Sequence, residues 1–207
     1  MQMPRAHVFP PPRFEHFMTL PKDPINVTRF EMIVHTGTHV DAPRHFYNDG
    51  PTFDEIPLDR LCGRGVVLHF DIEPGGLIDK KDFEHYDMLV QEGDIVGLDT
   101  GWSAKFGTDV YDINPSITVG AAHWLVERGV KLLACDFATP DLALPLRRPG
   151  FDWPVHQVLL SNGVLVSEHL RNVAAIAGER VEFVFGALNI AAADGAPARV
   201  FARLSES

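Results

Sequence analysis

Apolar positions fall into runs separated by polar stretches, and the length and period of each run predict an element. Residues 66–72 form a nearly continuous apolar run after Gly65, and residues 94–99 and 130–137 repeat the pattern expected of strands buried on both faces. Helices fill the gaps between them. Asp79 predicts the N-cap of a helix reaching about Val90 and stopped by Gly93. Asn114 predicts the cap of a second helix, with Pro115 at its first position and Gly129 just past its end. Strands alternating with helices define an α/β chain. Towards the C-terminus, residues 158–168 and 181–190 both read as strands, and Asp194-Gly195 is a turn leading into residues 198–204. The final third is therefore expected to be sheet-rich. There is no internal repeat and no glycine-rich phosphate loop.

With 207 residues, 45% of them hydrophobic, the chain has material for one well-packed domain and too little for two. Residues 1–24 stand apart, because six of the 16 prolines occupy positions 4, 10, 11, 12, 21 and 24. They predict an extended arm ahead of a single domain over residues 25–207. Lys and Arg total 18 against 28 Asp and Glu, a formal charge of −10, and no basic stripe with interleaved aromatics occurs. That argues against nucleic acid as a partner. The first nine residues hold no apolar signal segment and no later run reaches spanning length, so a cytoplasmic protein without a membrane partner is expected. Cys62 and Cys135 have no Cys-x-x-Cys partner, and Cys135 lies in an apolar run where a buried thiol is ordinary. Neither is assigned chemistry.

Residues 35–45 read His-Thr-Gly-Thr-His-Val-Asp-Ala-Pro-Arg-His, which places three of ten histidines and an aspartate within eleven residues. In an extended segment His35, His39 and Asp41 leave the same face. A helix would also align His35 with His39, but Thr36, Gly37, Thr38 and Val40 are poor helix formers and Pro43 cannot continue one. Pro43 also ends the strand, which puts His45 past a bend, near the cluster yet free for another task. Imidazoles with a carboxylate and no thiolate suit zinc or manganese. The competing role is a solvated surface strand, which the same-face set disfavours. Three donors leave such a site incomplete. His156, after the aromatic turn at residues 150–154, and Glu168, after residues 164–166, are candidates to complete it; a structural histidine and a solvated strand end are the roles they compete with.

The two segments together resemble the cyclase family of metal-dependent hydrolases, which includes bacterial kynurenine formamidases and isatin hydrolases. The family pattern H-x-G-T-H-x-D-x-P-x-H is matched at every specified position. Residues 129–141 parallel a strand followed by G-x-D-x-x-S-x-D, with Asp136 and Asp141 at the two Asp positions. With the closing segment at 188–200, the resemblance spans residues 30–204. It implies a swivelling β/β/α domain, usually a homodimer or homotetramer. It also implies one or two metal ions per subunit, held by His35, His39, Asp41, His156 and Glu168, with Asp41 reaching both. His45 matches the family's proton donor and acceptor, a task suited to imidazole.

The implied activity is hydrolysis of an amide, lactam or lactone acyl bond in a small molecule by a metal-activated water. A lyase or cyclase reaction and a non-catalytic metal-binding role are the alternatives. Kynurenine formamidases carry a Trp upstream of the metal motif, whereas residues 17–27 here contain none. N-formylkynurenine is therefore expected to be a poor substrate beside a smaller planar amide or ring. Trp102, Trp153 and Phe46 are candidates for a replacement stacking face, against ordinary packing roles. Arg147 and Arg148 could grip a carboxylate, against a charged surface turn beside Pro149.

Overall fold

The computed structural model describes residues 3–6 and 8–204. Residues 1, 2 and 7 of the expected arm lie outside them. In chain order the elements are β1 (Arg13–Met18), β2 (Val27–Glu31), β3 (His39–Asp41), β4 (Cys62–His69), β5 (Leu77–Ile78), α1 (Lys80–Glu84) and β6 (Ile95–Asp99). They continue with β7 (Ser116–Ile117), α2 (Val119–Glu127), β8 (Leu132–Cys135), α3 (Pro154–Ser161), β9 (Leu165–Glu168), β10 (Arg180–Ala187) and β11 (Gly195–Leu204).

Seven strands close into a barrel in the order β10-β11-β3-β9-β8-β6-β4, with β4 paired back onto β10. The apolar strands β4, β6, β8 and β9 are parallel, and Gly65, Ile95, Leu132 and Leu165 stand in one row across them. These strands read as continuous apolar runs because both faces are covered. Val67, Ile95, Leu132, Ala134 and Leu165 pack with Phe183 and Phe185 in one core. Alternate residues Val66, Leu68, Val96, Leu98, Leu133 and Val166 pack in the other, with residues of α2 and α3. The antiparallel strands β10 and β11 bury only one face: Val181, Phe183 and Phe185 are buried while Glu182 and Val184 are exposed. No helix among the described residues is long and apolar enough to cross a membrane.

Several elements differ from expectation for identifiable reasons. The helix begun by the Asp79 cap ends at Glu84 rather than near Val90, and bonds such as Tyr86 N–H to Phe83 O and Leu89 N–H to Tyr86 O continue as turns. His85, Tyr86 and Asp87 are weak helix formers. Asn114 is not a helix cap: its buried amide donates to Pro115 O and Thr139 O, and residues 116–117 form β7. Thr118 caps α2 instead, with Gly129 in left-handed backbone beyond its end. Residues 158–161, expected as strand, complete α3, whose buried Val155, Leu159 and Leu160 follow helical spacing. From the proline-rich arm, β1 pairs antiparallel with β2, which lies beyond it at residues 27–31.

Candidate metal centre

Strand β3 delivers the heart of the site. Val40 points into the barrel core, so His39 and Asp41 face the opposite side. His39 pairs with Glu168 of β9 and Asp41 pairs with Gly195 of β11. His35 does not share the strand, contrary to a fully extended reading of residues 35–41. It sits in a turn before β3, where Gly37 takes φ 71°. That turn brings the His35 ring to 5.0 Å from the His39 ring. A side chain at Gly195 would meet His35 Cε1 at 2.9 Å, so a glycine is what lets the ring lie against β11. His156 arrives on α3, whose first turn is capped by Asp141: its carboxylate accepts from Val155 N–H at 2.9 Å and His156 N–H at 3.1 Å.

His156 and His39 are each aimed by their Nδ1. His156 Nδ1 lies 2.6 Å from Asp141, leaving Nε2 at 3.5 Å from Asp41 and 3.4 Å from Glu168. His39 Nδ1 donates to Gly37 O at 2.7 Å, leaving Nε2 buried with no hydrogen-bond partner, 3.2 Å from Asp41 and 3.6 Å from Glu168. An orphaned buried imidazole nitrogen facing two carboxylates is the arrangement a cation would complete. Three overlapping sets have their donor atoms within 4.8 Å of one another: His35, His39 and Asp41; Asp41, His156 and Glu168; and His35, His45 and Asp194. Nitrogen and oxygen donors without thiolate fit a divalent ion.

The charges of the cluster act on one another. Burial would push His35 down, but Asp41 and Asp194 carry it up to about 10. Burial likewise opposes, and carboxylates overcome, the upward shifts of His39 and His156. Asp41 is lifted by burial, yet His35, His39 and His156 hold it well below the usual carboxylate range. Protons and a cation would therefore compete for these donors.

His45 stands at the half-open rim on the short helical turn Pro43–His45, past the bend that Pro43 imposes. Its Nδ1 is 3.3 Å from Asp194, which also meets His35 Nε2 at 2.9 Å. Asp194 read as a turn residue; the backbone bonds from Ala42 to Asp194 O and from Phe53 to Ala193 O carry it to the site across some 150 residues of chain. His169 also went unnoticed. It is buried, holds φ 59°, shares a 2.7 Å hydrogen bond with Tyr111 OH, and burial pushes its pKa down to about 3.

A cavity of about 350 Å³ opens beside the donor cluster, lined by His35, Asp41, His45, His156, Glu168 and His169 together with Phe46, Trp153, Arg147, Phe9 and Arg5. Phe46 stacks on His156 at 5.1 Å and Trp153 meets Phe46 at 6.3 Å. Trp102 does not reach the cavity: it is fully buried, with Nε1–H donating to Tyr111 O at 2.8 Å. Its loop is tied down by Asp136, which accepts from Thr100, Trp102 and Ser103. Arg148 is exposed and does not line the cavity, whereas Arg147 does.

Fold and site together define an α/β barrel protein with a buried His/Asp/Glu centre beside a histidine–aspartate pair. The family model described as "Putative cyclase" matches residues 3–142, and the chain belongs to that family. It is 30% identical over 189 residues to a kynurenine formamidase of Bordetella petrii, covering 88% of this chain and 83% of the relative. A Bacillus cereus kynurenine formamidase is 29% identical over 193 residues, 92% of this chain and 87% of the relative. Among solved structures, a "potential metal-dependent hydrolase with cyclase activity" superposes with a TM-score of 0.77 at 29% identity, covering 99% and 96% of the two chains. Isatin hydrolase A from Ralstonia solanacearum shares the fold, with a TM-score of 0.86 at 21% identity over 98% and 88%. The two kynurenine formamidase relatives support a hydrolase of the cyclase family.

Proposed function

We propose that this chain is a metal-dependent hydrolase that opens an amide, lactam or lactone acyl bond of a small planar molecule. The observation that carries this reading is the convergence of two donor sets sharing Asp41 at the wall of a cavity lined also by His45, whose Nδ1 lies 3.3 Å from Asp194. His35, His39, Asp41, His156 and Glu168 would hold zinc or manganese, in one or two positions. The chemistry such an ion supplies is acidification of water and polarisation of an acyl carbonyl. His45 accepts the proton of the attacking water and returns it to the leaving nitrogen or oxygen. Asp194 accepts from His45 Nδ1–H, which leaves Nε2 for the cavity. Phe46 and Trp153 supply the planar wall that residues 17–27 lack.

Turnover of formanilide, isatin, a small lactone and N-formylkynurenine by zinc- and manganese-loaded protein tests this reading. At least one of the three small planar substrates is expected to be hydrolysed, with a higher kcat/KM than N-formylkynurenine. No turnover of any acyl substrate with either metal would overturn the hydrolase reading.

A further inference from the structure

Arg147 lines the cavity within the electrostatic field of Asp141 and Glu168. It follows the short helical turn Leu144–Leu146, between the Asp141 cap and α3. Its Nε–H donates to Leu142 O at 2.6 Å. Its guanidinium lies over two rings, 4.8 Å from the centre of Phe151 and 5.1 Å from that of Trp153. Among the described residues it forms no ion pair, and Nη2 is buried with no hydrogen-bond partner. Arginine stays a cation at any ordinary pH and offers five N–H donors. Leaving the Nη2 N–H groups of a cation buried without an acceptor is unfavourable, and the aromatic shelf compensates only in part. Arg5, the other arginine lining the cavity, donates from Nε to Phe9 O within the arm.

A planar guanidinium on an aromatic shelf offers the fork that matches a carboxylate. The same cavity holds the donor cluster at which an acyl group would react and the rings of Phe46 and Trp153 that would flank a planar body. From this geometry we infer that the substrate is a small planar acyl compound bearing a carboxylate, and that Arg147 is the residue that binds that carboxylate. The inference rests on the hydrolase reading above for the word substrate, but not for the binding of the anion. An amino-acid head such as that of kynurenine fits less well, because its ammonium group would approach the guanidinium.

The test has two arms on metal-loaded protein. In the first, kcat and KM are measured for formanilide and for its ortho, meta and para carboxylates with wild type, Arg147→Lys and Arg147→Gln. Wild type should prefer at least one carboxylate over formanilide. Arg147→Gln should lower kcat/KM for that carboxylate by roughly 10- to 100-fold, mainly through KM, while formanilide changes less than about threefold. Arg147→Lys should fall between, since an ammonium keeps the charge and loses the fork. Equal losses for charged and neutral substrates would make Arg147 a structural residue and overturn the inference. In the second arm, benzoate and benzamide are titrated by calorimetry against wild type and Arg147→Gln. Benzoate should bind wild type more tightly than benzamide, and the substitution should abolish the difference. If no substrate turns over but this selectivity appears, the hydrolase reading fails and the anion site stands. If benzoate binds both proteins equally, the anion site fails whatever the turnover.

Discussion

His45 and His35 lie 4.0 Å apart ring to ring, yet the account gives them different tasks. His35 is buried against β11 and meets carboxylates with both nitrogens, whereas His45 is at the rim with about a quarter of its side chain exposed. His45→Ala should therefore keep metal content near that of wild type and lower kcat by roughly two to four orders of magnitude, the usual worth of a positioned acid and base. Parallel elemental analysis and turnover check it; loss of metal would instead make His45 a ligand with His35 and Asp194. The local part of this site was legible because ligand chemistry and spacing coincide within residues 35–45. Asp194 was not, and Arg147 was legible only as one of two adjacent arginines able to grip a carboxylate, with nothing to set it apart from Arg148. Asp194 acts on residues 149 and 159 positions away, and nothing in an Asp-Gly turn signals that distance. Arg147 looks like any charged turn until Phe151 and Trp153 fold beneath it.

Helix α3 shows how an element was misread and why that matters to the site. Its apolar residues resemble the start of a strand, and the deciding feature is Asp141, thirteen residues before its first residue, capping a helix that Pro154 can begin. The same carboxylate fixes the His156 ring, so one residue both starts the element and aims its donor. Asp141→Asn should weaken metal affinity by roughly 10- to 100-fold, the usual effect of removing the group behind a ligating histidine. Competition with a chelator measures it, and an affinity within threefold of wild type would show that α3 packing alone holds His156. The parallel strands were legible because burial on both faces leaves an unmistakable apolar run. The strand β3 was legible as the end of the extended stretch closed by Pro43, but not its start at His39, since pairing with β9 and β11 defines its three residues and the preceding turn carries His35.

For the molecule as a whole, a cluster that traps protons must trade them for metal. The imidazoles of His35, His39 and His156 are shifted up by the buried carboxylates in the metal-free chain. For His35 the stabilising charge is fully present below the unfolded pKa of roughly 6.5 and is lost as pH rises through about 10. Metal-free protein should thus lose stability between pH 7 and pH 10, while metal affinity rises over the same range because fewer protons compete. Urea midpoints of chelator-treated protein and chelator competition at pH 7 and 9 should move in opposite directions; parallel movement would mean that the imidazoles are not the groups exchanged. The α/β class was legible from alternating runs, whereas barrel closure depends on β4 pairing with β10 more than a hundred residues later, which no local pattern announces. The most direct test of the central claim is metal content by elemental analysis of wild type, His39→Ala, His156→Ala and Glu168→Ala, each purified folded and exposed to equal zinc or manganese. The account predicts one or two equivalents in wild type and a loss of at least one in every variant. Undiminished metal in His156→Ala and Glu168→Ala would contradict it, because the ion would then be held by residues 35–41 without the second half of the site.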